Sequence, residues 1–378
     1  MKRSVPFVAL TGFLVFCLTA AFTGAGSGQD ADSGHAPDAV LQDPDYTGHF
    51  RVFTGGGVPA SLADIVRAMN GVDAVLVGET HTDPVGHWIE GELFREALAL
   101  AGAGEETGAL RSVALSLEMF ERDVQGILDE YLTDLITEDQ FKSSVRPWEF
   151  YDSDYRPMVE MAKAAGVPVL AANAPRRYVN RVSRLGPVAL GDLSPRARSF
   201  LPPLPYPAPT DAYRAEWNAA MAGMVMEQQC PAPEEEGPQA EVAPEAHPTQ
   251  NPPQAPPAGM PTHGGSFMEN GLQAQTLWDA SMAHAITTFL DMNPGALVLH
   301  MVGGFHVKNL TGTPEKVQFY RPGTRSLVVH MDIAEDFSFF DPDEHTGRGD
   351  FVILTDESLD LNYERNCTIT GPGSELED

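Results

Sequence analysis

The sequence predicts an α/β protein, a mainly parallel sheet flanked by helices with a helical cap region. Three observations predict it. Six short apolar runs bounded by turn signals recur along the chain, at Asp73 to Val77, Val113 to Leu117, Pro168 to Ala172, Ala296 to Val302, Ser326 to Met331 and Phe351 to Leu354. Continuous apolar runs of that length read as strands buried on both faces. Segments of helical period lie between them, and strands alternating with helices imply right-handed crossovers and parallel pairing. Finally, chemically reactive residues fall just after the strands, where open parallel sheets collect ligands.

The elements follow in order. Lys2 and Arg3 precede an apolar run from Val5 to Phe22, and small residues follow at Gly24 to Gly28. This pattern reads as a signal peptide over residues 1–28. Residues 29–45 read as a flexible segment. Ser61-Leu62-Ala63-Asp64 resembles a capping box with aspartate in place of glutamate and opens a helix ending near Gly71. Further helices are expected at Pro84 to Ala101, Glu121 to Tyr131, Tyr155 to Ala165, Arg176 to Arg184 and Asp211 to Gln228, with a long one from Met268 to Met292. Residues 231–266 carry ten prolines, several glutamates and no lysine or arginine. Such a segment buries too little apolar surface to offset its ordering entropy and reads as a disordered insertion. One α/β domain is therefore expected over 46–230 and 267–360, with a tail over 361–378.

Charge and cysteines narrow the function. Loss of residues 1–28 keeps all 53 acidic residues and 22 of the 24 basic ones, moving the formal charge from −29 to −31. That excludes nucleic acid and anionic membrane as electrostatic partners. The expected location is exported and periplasmic, with membrane association only if the signal is retained or Cys17 is lipidated. Bulky Phe16 before Cys17 disfavours a lipid anchor. Cys230 and Cys367 would remain, too far apart for a CxxC knuckle; in an oxidising compartment they either pair or stay free.

The residues that can carry chemistry gather at two tetrapeptides. Gly78-Glu79-Thr80-His81 puts a carboxylate and an imidazole two residues apart, which suits a metal or a general base with its orienting partner. Gly303-Gly304-Phe305-His306 supplies a second imidazole on a loop whose glycines permit close backbone approach. His87 stands six residues beyond His81. Glu118 is a carboxylate among apolar neighbours, and burial requires that it be neutralised, paired or metal-bound. Asn173-Ala174-Pro175-Arg176-Arg177 opens a helix, so its amides and arginines could receive a carboxylate or propionate, or could pair with surface acids. Trp148, Tyr151 and Tyr155 form an aromatic group that could stack on a flat ligand or offer a phenolate, although core packing is the commoner use. In the long helix Met268, Gln275 and Met282 share a face with Asp279, and no CxxCH exists for covalent haem attachment.

At these residues the chain resembles the ChaN-like haem-binding uptake family of the Tiki superfamily, which also includes TraB-like and erythromycin-esterase-like proteins. The matching segments are GETH with His87, LEMFERDVQGILDEYL at Leu117 to Leu132, Trp148, DYRPMVEMAKAAGVPVLAANAPRRYVNRVSRLG at Asp154 to Gly186, Gln275 with Asp279, and MVGGFH at Met301 to His306. They span Asp73 to Pro322 apart from the insertion. The resemblance implies an exported haem-binding protein that assists iron uptake. By resemblance Glu79, His81, Glu118 and His306 are the site positions; in the haem reading of the residues, His81, His87, Tyr151, Tyr155, Arg176, Arg177 and His306 would face the cofactor. Superfamily relatives imply an alternative, a metal-dependent hydrolase acting on peptides or esters. In that reading Glu79, His81 and His306 are catalytic, and Glu79, His81, Glu118 and His306 hold a divalent metal ion. A non-catalytic scaffold using the proline-rich insertion is the third reading, and a homodimer is compatible with any of the three. The poor context of Cys17 departs from the family's frequent lipoprotein form, and the acidic insertion is a further departure.

Overall fold

The computed structural model describes residues 46–103, 111–227, 264–359 and 361. The expected signal, the segment 29–45, the insertion as far as residue 263, the tail from residue 362, and all three cysteines lie outside these residues.

The chain enters through two short strands, β1 (Phe50–Thr54) and β2 (Pro59–Ala60), then α1 (Leu62–Met69), β3 (Ala74–Glu79) and α2 (Pro84–Ala103). Next come β4 (Val113–Glu121), α3 (Gln125–Leu132), α4 (Glu138–Val145), a π turn at Tyr151–Tyr155, α5 (Arg156–Ala165), β5 (Val169–Asn173) and α6 (Arg176–Leu185). The short α7 (Pro195–Arg198) leads to α8 (Asp211–Glu227). The last part holds α9 (Gly264–Met292), β6 (Leu297–Gly303), α10 (Thr313–Tyr320), β7 (Ser326–Ala334), α11 (Pro342–His345) and β8 (Phe351–Asp356). Among the described residues the strands form one eight-stranded sheet in the order β2-β1-β8-β7-β3-β6-β4-β5. All six apolar runs became strands and pair in parallel; β1 and β2 add an antiparallel edge.

The central strand shows why the runs are unbroken. Every residue of β3 is buried. Val75 and Val77 belong to the core beneath α1, α2, α3 and α5, whereas Ala74 and Leu76 belong to the opposite core with Ile286 of α9 and Val317 of α10. A strand covered on both sides has no face left for polar alternation. The cap is built at one end of the sheet, where Tyr213 and Trp217 of α8 pack with Leu272 of α9 and Phe305 of the loop after β6.

Several boundaries differ from the sequence reading. α9 begins at Gly264, four residues before the expected Met268 and inside the expected insertion. The helix expected from Glu121 starts at Gln125, because β4 continues to Glu121 and a 3-10 turn at Arg122–Val124 intervenes. The helix expected from Tyr155 begins with the π turn, in which Asp154 and Tyr155 are both buried. π turns recur at functional sites.

Candidate functional site

The two Gly-x-x-His loops meet. β3 and β6 are adjacent, parallel and in register, with Glu79 opposite Gly303, so the loops leave the sheet at the same level. β4 flanks β6 on the other side with Leu117 opposite Met301, which brings Glu118 beside Gly303. The pairing of β4 with β5 shifts register between Leu117 and Glu121, and such irregularities re-aim side chains near sites. Oε2 of Glu118 accepts the Gly303 N–H at 2.8 Å.

On the first loop, Glu79 is the hub. Its Oε1 lies 2.8 Å from Nδ1 of His81 and accepts the Tyr155 hydroxyl at 2.8 Å. Its Oε2 lies 2.7 Å from Nε2 of His87, whose Nδ1 lies 3.3 Å from Asp154. Burial alone would push the Glu79 carboxyl up, but the His87 charge and the His81 hydrogen bond hold it well below the usual carboxylate range. Burial opposes the charge on His81; the hydrogen bond and charge of Glu79, with Glu118 beyond, outweigh it and raise the imidazole to about 9. The Tyr155 phenol is driven up by burial and by the Glu79 charge, so it serves as a proton donor to Glu79.

The second loop repeats this logic. Nδ1 of His306 lies 2.8 Å from Oδ1 of Asp279, and its Nε2 lies 3.1 Å from the Gln275 amide and 3.6 Å from Oε1 of Glu118. Asp279 is fully buried and also accepts the hydroxyls of Tyr213 and Thr313. Burial opposes charge on His306, but Asp279 and Glu118 raise its pKa above the ordinary imidazole value. A carboxylate on Nδ1 fixes each ring's orientation; it leaves Nε2 of His81 for a ligand, whereas Nε2 of His306 meets Gln275. Gly303 matters for space: a Cβ there would sit 2.8 Å from Nε2 of His81 and 3.6 Å from Oε2 of Glu118.

Accessibility separates the candidates. The His81 side chain is 43% exposed, whereas those of His87 and His306 are 4% and 5% exposed. His81 also has the edge of Trp148 against it, with ring centroids 4.8 Å apart. Tyr155 is spent on Glu79. Tyr151 lies in an aromatic core with Phe120 and Phe141. Met282 packs in the core beneath α9, and Met268 lies on an exposed part of the same helix. Arg177 pairs with Asp123 at 2.5 Å and lies over the Tyr178 ring. With Tyr178, Arg196 and Phe200 it lines a cavity of about 320 Å³. Arg176, its neighbour at the start of α6, is exposed.

The expected metal quartet of Glu79, His81, Glu118 and His306 is not the set that comes to ligand spacing. Among the described residues, the group with donor atoms all within 4.8 Å of one another is Glu79, His87 and Glu90. The reason is geometric: His81 takes Oε1 of Glu79 and turns toward Gly303, while His87 of α2 meets Oε2. Glu90 and Asp154 were not singled out from sequence. Glu90 could have been found, because Phe94 and Ala97, four and seven residues on, are core positions on the same helical stripe.

Fold and arrangement together define an α/β protein with paired histidine-bearing loops at the carboxyl end of a mainly parallel sheet. The family described as haem-binding uptake, Tiki superfamily, ChaN matches residues 65–317, and the chain belongs to that family. A solved structure of Campylobacter jejuni ChaN, described as cofacial haem binding, is similar at 15% identity and a TM-score of 0.54, over 81% of this chain and 97% of that one. The type III effector HopBA1 is similar at 14% identity and a TM-score of 0.39, over 78% of this chain and 93% of that one. No curated protein matches the chain.

Proposed function

We propose that the chain binds haem at the rim where the two Gly-x-x-His loops meet, and that it serves haem or iron uptake after export. Family membership supplies the ligand class. The single observation that carries the location is His81: it is half-exposed and its Nδ1 is committed to a carboxylate, which leaves Nε2 as the nitrogen for iron. The residues fit haem in that respect. Haem iron bound there would supply ligand-binding or redox chemistry. Glu79 and Tyr155 orient the imidazole from beneath, and Trp148 borders it. His87 and His306 act below the surface as supports. Arg177, with Arg176 at the start of the same helix, provides the cationic side for propionates, with Arg177 exchanging its Asp123 partner. The acidic mature chain and the expected signal support a periplasmic carrier that is free of nucleic acid. No helix among the described residues is long and apolar enough to cross a membrane.

Hemin titration followed at the Soret band tests the reading. Saturable binding is expected, weakened strongly in His81→Ala and modestly in Arg177→Ala. No saturable shift, or a shift that His81→Ala leaves unchanged, would overturn it.

One observation favours a second reading, hydrolysis. An imidazole backed by a carboxylate at 2.8 Å and open to solvent is the geometry of a general base with its orienting partner. Turnover of ester or peptide substrates that disappears in His81→Ala would support it. Absence of turnover with and without added divalent metal would remove it.

A further inference from the structure

Behind the rim lies a second set of polar groups held entirely inside the protein. Glu90 on α2 is 0% exposed, its carboxyl lies against that of Glu79, and among the described residues no N–H or hydroxyl donates to either of its oxygens. His87 stands one turn earlier on the same helix, with Nε2 2.7 Å from Glu79 and Nδ1 3.3 Å from Asp154. One donor atom from each of Glu79, His87 and Glu90 lies within 4.8 Å of the other two. Asp83, at the entry to α2, is also buried.

Four buried carboxyl groups gather around His87, and even with His81 as a second imidazole on Glu79 they outnumber the cations available to them. An uncompensated buried carboxylate is costly, so a proton or a cation must balance it. Imidazole nitrogen with carboxylate oxygens suits manganese, ferrous iron or zinc, whereas magnesium and calcium prefer oxygen alone. His87 and Glu90, three residues apart on one helix, present both donor types on one face, a spacing that carboxylate-bridged metal proteins use.

We propose that Glu79, His87 and Glu90 form a buried site for a divalent first-row transition-metal ion, with Asp154 orienting His87. The site is separate from the haem ligand but shares Glu79 with it: Oε1 holds His81 and Tyr155, while Oε2 faces His87. The ion would take over the compensation that a proton on Glu90 otherwise provides, and it would brace α2 against the end of β3.

The experiment uses the full chain without haem, stripped by chelator, and titrates Mn²⁺ and Zn²⁺ by calorimetry with elemental analysis after dialysis. One ion per chain is expected, and Glu90→Gln should weaken its binding by about tenfold or more. Failure of the wild-type chain to retain an ion, or equal affinity in Glu90→Gln, overturns the proposal. Should Glu90→Gln fail to fold, pulsed EPR of Mn²⁺ in the wild-type chain decides. Coupling to one imidazole nitrogen is expected, whereas two or none would place the ion elsewhere.

Discussion

Glu79 and Gly303 face each other in register across β3 and β6, one bearing the carboxylate that holds His81 and the other leaving the space into which His81 turns. The two loops therefore work as one feature, although more than 200 residues of sequence separate them.

Gly303→Ala should disturb that feature while leaving the backbone at ease. The residue has φ −55° and ψ 137°, which alanine adopts freely, but the added Cβ would sit 2.8 Å from Nε2 of His81. Hemin affinity is expected to fall by about tenfold, with a thermal midpoint close to that of the parent. Unchanged affinity in a calorimetric titration would mean that Nε2 of His81 has no part in the site.

The Glu79–His81 pair gives a pH signature. His81 is raised from 6.5 to about 9, so the stability it contributes is fully present below pH 6.5 and is lost as pH rises through about 9. Glu79 is lowered, so its contribution is present above its ordinary value near 4.5 and is lost as pH falls through its depressed value. NMR titration of the ligand-free chain should find the His81 imidazole titrating near 9, and nearer its ordinary value in Glu79→Gln. A wild-type value near 6.5 would show the pair to be broken in solution.

Asp279 carries the opposite loop. It is fully buried, 2.8 Å from His306, and accepts two hydroxyls. Asp279→Ala strips His306, Tyr213 and Thr313 of their common acceptor and should destabilise the protein by about 3–5 kcal/mol in urea denaturation. A loss below about 1 kcal/mol would indicate that water readily replaces the carboxylate.

How much of this was legible follows from how each signal arises. The six apolar runs were readable because strands covered on both faces must be continuously apolar. Their carboxyl ends were harder, since β4 regains a partner at Glu121 after its register shift and Asp332 to Ala334 remain paired after the apolar run stops. β1 escaped notice because it lies next to the tiny β2 at the sheet's edge and is only half buried before its Gly55-Gly56-Gly57 turn. α4 carried a usable signal in Thr137, whose side chain caps the helix ahead of Glu138 and Asp139. Glu79, His81, Glu118 and His306 stood out because they follow strands. Glu90 and Asp154 did not, because inside helical or turn sequence a lone acid reads as a solvated position; the stripe shared with Phe94 and Ala97 was the signal for Glu90, whereas the burial of Asp154 follows only from the fold.

The measurement that bears most directly on the central claim is a crystal structure of the hemin-loaded chain. Iron is predicted at Nε2 of His81, with Nδ1 still on Glu79. Iron bound far from both Gly-x-x-His loops, with His81 unmoved and unliganded, would contradict the account.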